Sequence, residues 1–131
     1  MPSPATEAPT LAFSSDRGLG FNVFTVPAEG GDPELLVGGE GDDHDPAWSP
    51  DGSMVAFARV TDEGRRSSVF LVEADGSGLR QLTSGPHLDR QPAWSPDGMQ
   101  IAFVRAVPGR GISGIHVLRL GGGRRRLTEP P

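Results

Sequence analysis

The sequence contains no cysteine, no tyrosine and no lysine, so all 12 of its basic residues are arginine. Each absence closes off some chemistry. Without cysteine there is no disulfide framework, no thiolate metal site and no cysteine nucleophile. Without lysine there is no Walker-type phosphate loop, no Schiff base and no Ser-Lys pair. No run approaches the ~18 consecutive apolar residues of a membrane-spanning helix, so no membrane insertion is expected. The opening residues, MPSPATEAPT, carry neither the basic nor the apolar region of a signal peptide. Helical patterning is missing as well, because no segment joins a 3.6-residue apolar period to helix caps.

What the chain has in quantity is glycine and proline, 19 and 13 of its 131 residues. A share of this size reads as disorder unless it follows a period. A period exists. Pro46-Ala47-Trp48-Ser49-Pro50-Asp51-Gly52 returns 46 residues later as Pro92-Ala93-Trp94-Ser95-Pro96-Asp97-Gly98. Val55-Ala56-Phe57 returns as Ile101-Ala102-Phe103, and Val69-Phe70-Leu71-Val72 as Ile115-His116-Val117-Leu118. Arg80-Gln81-Leu82-Thr83 returns as Arg125-Arg126-Leu127-Thr128. A third copy lies upstream in Leu11-Ala12-Phe13, Val23-Phe24-Thr25-Val26 and Glu34-Leu35-Leu36-Val37. It lacks the Trp-containing heptapeptide, of which Pro4-Ala5 is at most a worn remnant.

Each unit reads as four short strands, around residues 47–49, 54–58, 68–72 and 79–83 in the middle copy. Turn chemistry separates them. In Ser49-Pro50-Asp51-Gly52, Pro presets φ, Ser and Asp bond nearby backbone, and Gly tolerates positive φ. Asp75-Gly76 reverses the chain between the third and fourth strands. The links between the second and third strands (residues 14–20, 59–66 and 105–111) differ in every unit and are expected to be exposed. The third strand is apolar throughout, which means burial on both faces. Small four-stranded sheets covered on both faces, in units of ~40–45 residues, are propeller blades stacked around an axis. Each Trp is then expected to pack on the neighbouring blade, covering ~150–250 Å².

The heptapeptide, the apolar-Ala-Phe strand, Asp75-Gly76-Ser77-Gly78 and Arg80-Gln81-Leu82-Thr83 together resemble the TolB-type (WD-like) β-propeller repeat. Phe13-Ser14-Ser15-Asp16-Arg17-Gly18 resembles a form common in that family, and Asp43 and Asp89 match an Asp that often precedes its Trp motif. The expected fold is all-β, with about three four-stranded antiparallel blades: a partial propeller, or half of a six-bladed ring. Residues 1–10 form an N-terminal tail or worn first strand, 11–42 an incomplete first blade, 43–88 the second and 89–131 the third. The resemblance implies a periplasmic protein that partners an outer-membrane lipoprotein and translocating peptides. Similar repeats form the propellers of prolyl-oligopeptidase-type and tricorn-type peptidases, where they gate substrate and carry no nucleophile. The expected role is therefore protein or peptide binding, with a peptidase-gating fragment as the alternative.

No catalytic, cofactor-binding or metal-binding residue is expected. Asp42-Asp43-His44-Asp45 is the densest set of possible ligands, but it fits no EF-hand spacing and reads as a solvated capping loop. His44 and His87 read as exposed loop residues and His116 as a packed strand residue. Gly76-Ser77-Gly78 and Ser113 lack the strand–turn–helix setting of a nucleophile elbow. Gly38-Gly39-Glu40-Gly41 carries an acid and no basic partner, which argues against phosphate. Nucleic acid is not an expected partner, because the one basic run, Arg124-Arg125-Arg126, lies far in sequence from Trp48 and Trp94.

Charge is unevenly spread. Residues 1–60 carry ten acids and two Arg, whereas residues 61–131 carry seven acids and ten Arg. The asymmetry can help the acidic end of one copy meet the basic end of another. Fewer than three blades do not close a ring of ~4–8. Missing blades of a longer chain, or a homodimer that completes a six-bladed ring, would close it. In a homodimer, residues 4–10 would have to replace the missing first strand.

Overall fold

The computed structural model describes residues 10–16, 20–39, 41–121 and 124–126, with residues 112–113 and 124–126 described by backbone alone. The worn first strand expected within residues 1–10, the Arg17-Gly18 end of the upstream motif and Leu127-Thr128 lie outside the described residues.

Among the described residues all the extended structure is antiparallel but for one contact. Blade 1 comprises β1 (Thr10–Asp16), β2 (Phe21–Pro27) and β3 (Glu34–Val37). Blade 2 comprises β4 (Asp42–Trp48), β5 (Met54–Thr61), β6 (Arg66–Glu73) and β7 (Arg80–Gln81). Blade 3 comprises β8 (Leu88–Trp94), β9 (Gln100–Val107), β10 (Gly111–Arg119) and β11 (Arg124–Arg126). Blades 2 and 3 touch edge to edge at a single parallel pair, Ser67 with Leu88. The fold is thus the all-β partial propeller expected from the repeat.

The turns form as their residues dictate. Asp51 Oδ1 accepts from Ser49 Oγ at 2.7 Å, Ser53 N at 3.0 Å and Ser53 Oγ at 2.7 Å. Gly52, at φ 75°, closes the turn by donating to Ser49 O at 2.9 Å. Asp97 repeats the arrangement with Ser95 and Met99, and Asp75 with Ser77. The fourth strand of blade 2 is short because Thr83 extends the ladder with its side chain, its Oγ1 accepting from Val69 N at 2.9 Å.

The core lies between blades, and the pleat decides which residue faces which neighbour. On β5, Val55 and Phe57 face blade 1 and pack with Val23 and Val37, while Ala56 faces blade 3 and packs with Ile101. On β6, Val72 joins the first group, and Leu71 and Val69 meet Ile101 and Phe103. Continuous apolarity of the third strand is therefore explained by burial on both sides. Phe57 is fully buried, a contribution of about 1.5–3 kcal/mol by itself.

Two boundaries differ from the sequence reading. The first strand of each complete blade begins at Asp42 or Leu88, five residues or so before the Trp motif. The loop between β5 and β6 shrinks to residues 62–65, because β5 runs on to Thr61 and β6 starts at Arg66. Both extensions have one cause: Asp43 and Arg59 lie opposite each other in the ladder and hold those strand ends together.

Candidate functional site

The acidic cluster is a strand, not a solvated loop, and it sends its side chains to four separate tasks. Asp42 Oδ1 accepts from Phe21 N at 2.9 Å and so ties blade 2 to the start of β2. Asp43 is buried, with 1% of its surface exposed, and Arg59 grips it through Nε at 2.7 Å and Nη2 at 3.1 Å. The His44 ring packs on Phe21, 4.8 Å between centroids. Asp45 is exposed. Among the described residues, no group of three or more His, Asp or Glu side chains is placed to hold a metal ion.

The Asp43–Arg59 pair recurs as Asp89–Arg105, with Nε at 2.8 Å and Nη2 at 2.9 Å. Each guanidinium also covers aromatic rings: Arg59 lies 4.9 Å from the Phe70 centroid and Arg105 5.6 Å from that of Phe103. Planar, bidentate and stacked contacts of this kind are what Arg offers and Lys does not. Burial pushes the Asp43 carboxyl up from its ordinary value, against the hydrogen bond and charge of Arg59 that pull it down. The glycine run read as a poor phosphate cradle serves this pair, since Gly38 O accepts from Arg59 Nη2 at 3.4 Å. The role of Arg59 and Arg105 went unread in the sequence. The signal was there, because Asp and Arg both recur at the same 46-residue offset.

The inner edge of the blades is formed by β4 and β8, which pack against each other directly. Both strands bulge, β4 between His44 and Ala47 and β8 between Arg90 and Ala93. At the bulges Asp45 (φ 57°) and Gln91 (φ 56°) take the left-handed conformation, which costs a non-glycine residue about 1–2 kcal/mol. They stand at the same place in successive blades and both are exposed. Gln91 N donates to Asp45 Oδ2 at 3.2 Å, so the two bulges are linked.

The tryptophans act between blades as expected. Trp94 Nε1 donates to Ala47 O at 3.0 Å. Trp48 packs on the blade 1–blade 2 core, yet its buried Nε1 has no acceptor among the described residues. A buried donor left in that state costs about 1–3 kcal/mol. His116 stacks on Phe103 at 5.7 Å, as a packed strand residue should. His44 and His87, read as exposed, are half-buried, because the strands begin earlier than expected. Ser77 is bound to Asp75 in its turn, and the side chain of Ser113 lies outside the described residues.

A family model described as the TolB beta propeller domain matches residues 34–128. Among solved structures, a protein of Agrobacterium tumefaciens provisionally identified as TolB is similar, with a TM-score of 0.79 and 22% identity over 92% of this chain and 45% of that one. TolB from Acinetobacter baumannii gives a TM-score of 0.74 and 20% identity over 91% of this chain and 30% of that one. The β-propeller domain of the Trilobed protease from Pyrococcus furiosus gives 0.67 and 14%, over 93% of this chain and 39% of that one. The chain therefore spans less than half the length of these three structures. No curated protein matches it.

Proposed function

The chain belongs to the TolB β-propeller domain family, and from that membership we propose a non-catalytic module that binds a protein or peptide partner at its inner-strand edge. The bacterial periplasm is the proposed setting, as the family resemblance implies. The observation that carries the reading is the repeated bulge. Asp45 and Gln91 hold costly, exposed, left-handed positions in register on successive blades. Strain kept at matching surface positions points to use rather than accident. Selection of peptides from a random displayed library against the whole chain tests this. Selected peptides should bind the wild type and lose at least about tenfold in affinity to Asp45→Ala combined with Gln91→Ala, a change of about 1.4 kcal/mol. Equal binding to both proteins would sink the proposal.

A second reading draws on the likeness to the Trilobed protease propeller: the module gates substrate for a peptidase domain. Peptides that bind while being held at the inner edge suit either reading. A hydrolase domain encoded in the same gene would favour the second.

The ring needs further blades. The face of blade 1 turned from blade 2 carries Leu11 and Leu35, 55% and 58% exposed, beside the stacked Phe13 and Phe24. Phe57 and Phe70 hold the same places on the buried face of blade 2. We take the open face to receive another blade, supplied by a second copy or by more of a longer chain. Light scattering behind a sizing column distinguishes these for the chain as it stands: twice the monomer mass supports pairing, and a well-behaved monomer rejects it.

A further inference from the structure

Trp94 and Trp48 are the same residue of the repeat, 46 positions apart. Trp94 Nε1 has an acceptor in Ala47 O, on the inner strand of the preceding blade. Trp48 Nε1 is buried and has none among the described residues. The register of blade 2 says where its acceptor belongs. Ala47 pairs with Ala56 on β5, and Ala56 packs beside Trp94. Ala12 on β1 packs beside Trp48 in the same way. The missing carbonyl therefore belongs to a residue lying opposite Ala12, on a strand along the edge of β1 away from β2. Among the described residues that edge pairs with nothing.

The hairpin that joins β4 to β5 sets the connection length. From Ala47 to its partner Ala56 is nine residues. Nine residues before Ala12 stands Ser3. The ladder then makes a stringent demand on the prolines. Ser49 N donates to Met54 O at 2.8 Å, so Ser49 and Met54 are a hydrogen-bonded pair. Alternation makes Trp48 and Val55 a non-bonded pair and Ala47 and Ala56 a bonded one. Moved to blade 1, Ala5–Thr10 and Ser3–Ala12 are bonded pairs, and Pro4–Leu11 and Pro2–Phe13 are not. Both prolines fall where the ladder to β1 needs no N–H. Pro2 also falls on the place of Pro46 and Pro92 in the sister blades.

We propose that residues 2–5 form the innermost strand of blade 1, antiparallel on β1, with Ser3 O accepting the buried Trp48 Nε1–H. Blade 1 is then four-stranded like its sisters. The inference rests on the blade-on-blade packing of the family fold and not on the binding role, so a failed peptide selection leaves it standing.

The absence of cysteine makes a clean test. Pro4→Cys with Leu11→Cys places two thiols on a non-bonded pair, where Cα atoms lie about 4.5 Å apart, within disulfide range. Leu11 is exposed, so its replacement spares the core. Under oxidised glutathione the whole chain should form the disulfide within single molecules, while the one-residue-shifted pair Ser3→Cys with Leu11→Cys should form it far more slowly. Disulfide-linked dimers would assign the strand to a second copy, and no linkage would assign it elsewhere; either overturns the proposal. As an independent readout, indole N–H exchange by NMR should show Trp48 protected like Trp94. Ser3→Pro, which removes an N–H at a bonded position, should raise the Trp48 exchange rate at least about tenfold and leave Trp94 unchanged. Unaltered Trp48 protection in that variant would also overturn the assignment.

Discussion

Arg105 holds Asp89 through Nε at 2.8 Å and Nη2 at 2.9 Å, and only 1% of the Asp89 surface reaches solvent. Such a pair locks strand ends in register without being a large net source of stability. Desolvation offsets much of the attraction, but removing one partner strands the other.

Asp89→Ala should therefore destabilise blade 3 by about 3–5 kcal/mol, because Arg105 is left buried without its acceptor. Replacing both, as Asp89→Leu with Arg105→Met, should restore most of the loss. Denaturant titration of the single and double variants measures the coupling. Additive losses would mean that the two side chains act independently.

The blade order, the turns and the core were legible because identity recurs at one offset and each turn carries its own chemistry. The inner-edge bulges were not, because Asp45 and Gln91 share a backbone conformation and no side-chain type. A second interblade link was hidden for a different reason. Ser14 Oγ donates to Asp43 O and Ser67 Oγ to Asp89 O, both at 2.6 Å. The two serines do the same work from β1 and β6, different strands of their blades, so no fixed offset joins them.

Trp94→Ala should cost about 3–5 kcal/mol, through lost packing against Ala56, Leu71 and Ile101. Trp94→Phe retains much of that packing and loses the bond to Ala47 O, leaving the acceptor to find another donor. It should cost clearly less than the alanine variant. Thermal unfolding of both separates packing from hydrogen bonding. Near-wild-type stability of Trp94→Ala would contradict the stacking of blade 3 on blade 2.

Two glycines isolate the cost of a close approach. Gly52 and Gly76 have similar positive φ, 75° and 89°. A Cβ at Gly52 meets nothing within 4 Å, whereas at Gly76 it meets Leu36 O at 2.9 Å across the blade boundary. Gly52→Ala should cost about 1–2 kcal/mol for the backbone alone. Gly76→Ala should cost more, since β3 must also give way. Equal losses in chemical denaturation would show that the two blades are not in contact at that turn.

The turn aspartates set the acid limb of stability. Hydrogen bonds from Ser53 and Ser49 hold the Asp51 carboxyl at about 2, below its ordinary 3.8. Ser77 lowers Asp75, and Ser95 and the Met99 N–H lower Asp97. A carboxyl whose folded value is depressed binds fewer protons folded than unfolded. Its contribution is complete above the unfolded value and fades as the pH falls through the folded one. Stability should thus drop from about pH 4 down to about pH 2. Asp43 works the other way, because burial raises its carboxyl and the folded form takes up its proton more readily. Asp51→Asn keeps the turn polar and removes the titration, so its stability should fall less steeply over that range. Denaturation midpoints measured at a series of pH values check the slope, and an Asp51 side-chain carboxyl titrating near 3.8 by NMR would refute the assignment.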